Sequence, residues 1–252
     1  MLSGTSGMAP QTLPTTLTVT PLTSSKLFLK FSNGENESLL TMPTLQTTMK
    51  PTDFSECKDK ARQWAQERLA DANTVILDLE STGILREDPE TEIAQICITN
   101  VKGRPLFSML LKPSQPMSEK VIGIHKIANE DIINQPIFPQ IAKMIAFVLK
   151  DKHVVAFNAD FDWRLLMHMF KKYEVEVPKV AGISCAMDRY SEWCGEWSEK
   201  KQGWKWQKLP NFLGIDTHDA LNDCLNTLRT MEKMAGLFNE EELTADDISL
   251  DF

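Results

Sequence analysis

Three runs rich in strand-forming residues, Thr74 to Leu79, Glu92 to Thr99 and Pro105 to Leu111, follow one another, and after Leu111 helical and strand-like segments alternate. That order constrains the chain more than its composition does. It predicts a three-stranded antiparallel start to a sheet that helix–strand units then extend, hence an α/β fold with a mixed sheet flanked by helices. Before the first strand, Ala, Trp and Leu recur at helical spacing from Ser55 to about Ala70. After the third, Pro139 to Leu149 predicts a helix, His153 to Phe157 a short buried strand, Phe161 to Lys172 a helix, Gly182 to Cys185 a strand, and Asp219 to Ala235 a final amphipathic helix.

A chain of 252 residues holds one such core with tails. The expected organisation is a leader over 1–54 that is either a hairpin or disordered, a catalytic domain over 55–238, and an acidic tail over 239–252. The leader is rich in Thr, Ser and Pro around an Asn33-Gly34 turn signal, and it has neither the basic nor the apolar region of a secretory signal. The longest apolar runs, such as Met144 to Leu149, are far below the roughly 18 residues of a membrane span. Five scattered cysteines without a CxxC pair fit reduced thiols and a cytoplasmic location.

The formal net charge of −8 is uneven, because Glu240, Glu241, Glu242, Asp246, Asp247 and Asp251 sit in a tail without Lys or Arg, leaving −2 for everything before it. Bound cations neutralising four further carboxylates would bring the body close to neutral, so a polyanionic partner is compatible with this chain.

In the strand Val75 to Glu80, side chains alternate faces, so Asp78 and Glu80 project together while Leu77 and Leu79 point the other way. Two carboxylates at the edge of an apolar strand are costly unless compensated, and hard divalent cations prefer oxygen ligands. Taken alone, the pair reads first as a solvated strand end. In Asn158-Ala159-Asp160-Phe161-Asp162, a strand gives way to a helix, with Asp160 as a candidate N-cap and Asp162 in the first turn, where a carboxylate also suits the helix dipole. His218 and Asp223, at the start of the last helix, do not share a helical face, so His218 must swing from the loop or cap towards the ligand that Asp223 supplies.

These three elements, in this order, resemble the exonuclease motifs of the DnaQ-like family, the DEDDh branch of ribonuclease H-like nucleases. Asp78-Leu79-Glu80-Ser81-Thr82-Gly83 resembles D-x-E-x-T-G, Asn158 to Asp162 resembles N-x-x-F-D, and His218 to Asp223 resembles H-x-A-x-x-D, with Ala220 in place. Ile124-His125-Lys126-Ile127 resembles the family's I-H-x-I segment, whereas Phe157 stands where many members have histidine. The similarity covers about residues 73 to 235 and implies a ribonuclease H-like sheet. It further implies that Asp78, Glu80, Asp162 and Asp223 bind two divalent cations, Mg²⁺ or Mn²⁺, and that His218 takes a proton from the attacking water. By the same analogy Thr82 and Gly83 lie against the terminal nucleotide, Asn158 steadies the second-motif turn, and His125 either touches the terminal nucleotide or packs in a loop. His153 and His168 read as structural.

The expected activity is hydrolysis from the 3′ end of a nucleic acid, single-stranded at that end, with release of nucleoside 5′-monophosphates. DNA is the leading substrate, with exoribonuclease action the alternative and a non-catalytic nucleic-acid or clamp-binding module the reading of another class.

Two segments lie outside the motifs. From Trp193 to Leu209, four of the six tryptophans are interleaved with Lys200, Lys201, Lys205 and Lys208. The rings either pack this insertion onto the core or join the lysines in holding a single strand, and a mixed role is open. The tail resembles the bacterial sliding-clamp-binding hexapeptide at Leu250 and Phe252 and approximately at Ile248, and departs from it at Asp247, which makes a clamp a candidate partner.

Overall fold

The computed structural model describes residues 53–215 and 218–238. Almost all of the leader, the acidic tail and the clamp-like Ile248, Leu250 and Phe252 lie outside the described residues. The described chain runs α1 (Phe54–Ala70), β1 (Thr74–Ser81), β2 (Ile93–Asn100), β3 (Pro105–Leu110), α2 (Glu119–His125), α3 (Asn129–Ile132), α4 (Phe138–Leu149), β4 (His153–Ala156), α5 (Ala159–Lys172), β5 (Gly182–Cys185), α6 (Ala186–Cys194), β6 (Trp197–Ser198), β7 (Gly203–Trp204) and α7 (Ala220–Ala235).

Five strands form one mixed sheet in the order β3-β2-β1-β4-β5. The first three pair antiparallel, as the uninterrupted strand runs predict, and β4 and β5 join in parallel after helical crossovers. The β2–β3 turn uses Gly103 at φ +75°, where a Cβ would come within 3.0 Å of Leu225 on α7, so both backbone and space call for glycine there.

Strand alternation divides the interior into two layers. Val75, Leu77 and Leu79 of β1 face α4 and α5, packing with Ile141, Ile145, Leu165, Leu166 and Phe170. Ile76 faces the opposite layer, where Ala61 and Ala65 of α1 meet Ala186 of α6 and Cys224, Leu228, Met231 and Met234 of α7. The small residues of α1 let that helix lie close against its neighbours. Asp78 and Glu80 continue the row begun by Ile76, so they leave the sheet on the side that α7 covers.

Buried Glu92, just before β2, ties the end of α5 to the segment after β3. Its carboxylate accepts from the Ser114 N–H at 2.6 Å and the Tyr173 hydroxyl at 2.8 Å, and pairs with Lys172 at 2.9 Å. Burial alone would push this carboxyl up, but Lys172 and those two donors outweigh it and hold it below its ordinary range. No described helix is long and apolar enough to cross a membrane, and all five cysteines are free.

Candidate active site

The two carboxylates of β1 sit where the sheet comes apart. Along β2 the pairing continues, with Asp78 opposite Cys97 and Glu80 opposite Gln95, and shifts register only between Glu80 and Ser81. Along β4 it stops early, because only Thr74, Ile76 and the residue between them pair with His153 to Val155. Past Ile76 the parallel strands separate, and the first turn of α5 fills the opening with Asp162. Backbone N–H groups of Asp162 itself and of Leu79 face its carboxylate. Asp162 is 4% exposed and Glu80 8%, while Asp78 is half-buried.

The fourth carboxylate and the histidine come with α7. Asp219 caps that helix, accepting from the Leu221 and Asn222 N–H groups at 3.1 and 3.2 Å. Its other carboxylate oxygen accepts from the Gln95 side-chain amide at 2.8 Å, and the Gln95 carbonyl accepts from the Ala220 N–H at 3.1 Å. One glutamine, opposite Glu80, thus pins the start of α7 to β2 and sets Asp223 over the same opening. Exposed His218 turns back from the cap, its Nδ1 lying 3.4 Å from Asp223 Oδ2. Potential ligand atoms of Glu80, His218 and Asp223 all lie within 4.8 Å of one another.

All four carboxylates are pushed in one direction. Burial raises Asp78 well above its ordinary value, with the charges of Asp162, Asp223 and Glu80 adding to it. Burial raises Glu80 to about 8, reinforced by Asp223, Asp219 and Asp162. Asp162 also reaches about 8, through burial and then Asp223, against the two backbone donors. Asp223 is raised by burial despite the opposing pull of His218. No lysine or arginine pairs with any of the four in the described residues. A concentrated set of hard oxygen donors whose joint ionisation lacks a cation fits a divalent metal ion in both composition and charge.

The softer assignments divide. His125 is 4% exposed, and its Nδ1 accepts from the Ile127 N–H at 3.1 Å. That bond leaves the proton on Nε2, which finds no hydrogen-bond partner among the described residues. Burial lowers the ring's pKa, and the charge of His218 lowers it further. An open cleft of about 540 Å³ runs past this ring, with Gln95, Leu110, Asp219 and Asn222 also in its wall. Thr82 is tied to the residue before β2, its N–H donating to the Glu92 carbonyl and its hydroxyl accepting from the Glu92 N–H, both at 2.9 Å. A Cβ at Gly83 would lie 3.3 Å from the Thr91 hydroxyl. Asn158 holds the N-cap position of α5 through its backbone carbonyl, which accepts from Phe161 N–H at 2.9 Å and Asp162 N–H at 3.3 Å, without a side-chain cap bond. Asp160 is therefore not the cap; it lies inside the first turn, paired with Arg164 at 2.6 Å. His153 bonds Ser184 at 2.7 Å, away from the carboxylates.

Sequence reasoning passed over Gln95 and the capping bond of Asp219. The acid before an apolar-periodic run was a readable cap signal, whereas nothing local marks Gln95.

The family model described as exonuclease matches residues 75–231. The uncharacterized exonuclease CP81 of Escherichia phage 186 is 28% identical over 188 residues, 70% of this chain and 92% of that protein. The DNA polymerase III epsilon subunit of Escherichia coli K12 is 28% identical over 112 residues, 42% of this chain and 46% of that subunit, so the chain spans under half of its length. Among solved structures, exonuclease X in complex with 5′ overhanging duplex DNA shares 24% identity at a TM-score of 0.42, covering 70% of this chain and 99% of that one.

Proposed function

The chain belongs to the exonuclease family, whose model spans residues 75–231, and from that premise we propose that it removes nucleotides one at a time from the 3′ end of single-stranded DNA by metal-dependent hydrolysis. The observation that carries this reading is the cluster of Asp78, Glu80, Asp162 and Asp223, gathered from three separate segments and lacking a cationic side chain. Those four would hold one or two Mg²⁺ or Mn²⁺ ions, which supply Lewis-acid stabilisation of charge at phosphorus when bound.

The chain's own residues supply the rest. An Nδ1–H of His218 directed at Asp223 leaves Nε2 free to take the proton of the attacking water, a task for which imidazole is suited near neutral pH. His125 lines the cleft beside Gln95, and its buried Nε2–H, without a partner among the described residues, would donate to the terminal nucleotide once the ring turns to meet it. Asn158 steadies the turn that carries Asp162, and Thr82 and Gly83 shape the wall nearest the terminal sugar.

The test is digestion of matched 5′-labelled single-stranded DNA and RNA with Mg²⁺, Mn²⁺ or chelator. A ladder shortening from the 3′ end is expected on DNA with either ion. Asp78→Ala should remove it, and His218→Ala should lower kcat by about 10²–10⁴-fold. Faster loss of the RNA would transfer the assignment to RNA 3′ ends. Absence of metal-dependent cleavage of both polymers would leave a nucleic-acid-binding module instead.

A further inference from the structure

The segment between α6 and α7 contains a two-stranded hairpin, β6–β7, in which Trp197 pairs with Trp204 and Ser198 with Gly203. Its tryptophans are used unequally. Trp197 and Trp204 meet edge to face at 5.3 Å, and Trp204 meets Phe54 at the start of α1 in the same way at 5.4 Å. On α6, Trp193 stacks with Tyr190 at 5.9 Å and carries Lys58 over its face. These three rings are half-buried and anchor the insertion to α1 and α6. Trp206, two residues beyond β7, is 63% exposed, and Lys201 Nζ lies 4.6 Å from its ring centroid.

A tryptophan left in water is an apolar surface with an unmet demand for cover, and the charges around it say what kind of cover fits. The segment from Glu196 to Lys208 carries four lysines and two glutamates. Lys205 is paired with Glu196 at 2.7 Å, whereas Lys200 and Lys208 have no carboxylate partner among the described residues. Apart from Trp206, every exposed residue from Glu196 to Lys208 is polar or charged. A flat ring flanked by lysines matches a single strand, whose bases stack on the ring and whose phosphates meet the ammonium groups.

The hairpin is seated on two helices: Trp204 rests on Phe54 at the start of α1, and the backbone N–H of Gln207, next to Trp206, donates to the buried hydroxyl of Ser191 on α6 at 3.3 Å. The exposed ring is thereby carried on a backbone fixed to the catalytic domain.

We propose that Trp206, with Lys200, Lys201 and Lys208, forms a second binding site for the single-stranded body of the substrate, outside the pocket for its terminal nucleotide. This rests on the exonuclease reading for the identity of the strand, but not for its measurement. Fluorescence anisotropy of a 5′-labelled oligothymidylate of about twenty nucleotides, longer than a single binding patch, is followed in chelator so that nothing is cut. Trp206→Ala should weaken binding about tenfold, the contribution of stacking one base on an aromatic ring, with Trp206→Phe recovering much of it. Lys200→Ala combined with Lys208→Ala should flatten the dependence of log Kd on log salt. The mononucleotide analogue p-nitrophenyl thymidine 5′-monophosphate, hydrolysed with Mn²⁺, should be cut at an unchanged rate by every variant.

Unaltered oligonucleotide affinity in Trp206→Ala would overturn the proposal, as would a proportional loss of activity on the analogue, which would place the ring in the pocket. If the parent protein binds the oligonucleotide through Trp206 but hydrolyses neither substrate, the hairpin site stands and the exonuclease reading fails.

Discussion

Asp78, Glu80, Asp162 and Asp223 each make the ionisation of the others harder, so the metal-free protein holds protons that its unfolded chain has already lost. Glu80 titrates near 8 when folded and near 4.5 when unfolded, and Asp162 likewise moves from 3.8 to about 8. Both folded values are raised, so the stabilisation they contribute is fully present below the unfolded values and disappears as pH rises through the folded ones. Thermal stability of the chelated protein should therefore decline between about pH 4.5 and 8. Adding Mn²⁺ should reverse this. At a hundredfold excess over Kd, binding contributes about 3 kcal/mol, or roughly 6–12 °C in Tm for a domain of this size. That shift should be large at pH 8 and small at pH 5, where protons compete with the ion, and should shrink in Asp78→Ala. Equal shifts at both pH values, read by differential scanning fluorimetry, would show that the carboxylates are not where the ion goes.

The elements that present these groups were legible in the sequence to different depths. Alternation in Val75 to Glu80 identified both the strand and the shared face of its acids, and the run from Asp219 to Ala235 identified α7, because both patterns repeat within a few residues. Gln95 was invisible for the opposite reason: its partner Asp219 lies 124 positions away, and a polar residue in an apolar strand announces burial but not the group that satisfies it. The hairpin escaped too, since strands of two residues are too short for any periodicity to register. The value of the Gln95 bridge can be measured. Gln95→Leu leaves the Asp219 carboxylate and the Ala220 N–H each short of a partner, at a cost of about 1–3 kcal/mol. Because that end of α7 also sets Asp223, kcat should fall at least tenfold at temperatures where the variant remains folded. A lowered Tm with unchanged kcat would reduce the bridge to a structural bond.

Across the described fold, each face of the sheet brings one helix with a carboxylate to the site, α5 with Asp162 on one and α7 with Asp223 on the other. Ile145 and Met231 are each fully buried, the first against α5 behind the sheet and the second on α7. Truncating either to Ala should cost about 2–5 kcal/mol. At a temperature where both variants are folded, each should lose kcat several-fold, Ile145→Ala by loosening the packing of α5, which carries Asp162, and Met231→Ala by loosening α7, which carries Asp223. Unchanged kcat in either variant would mean that its layer reaches the site only through stability.

The position of α7 has a last consequence, in time instead of space. It is the final described helix, yet it brings both Asp223 and the bridge to Gln95, so the acids of β1 and α5 wait on residues translated more than fifty positions later. A ribosome could release the strands and most of the helices and still hold a chain with an incomplete acidic cluster. An emerging chain that lacks α7 lacks both Asp223 and the bridge, and its acidic cluster is complete only when that helix docks.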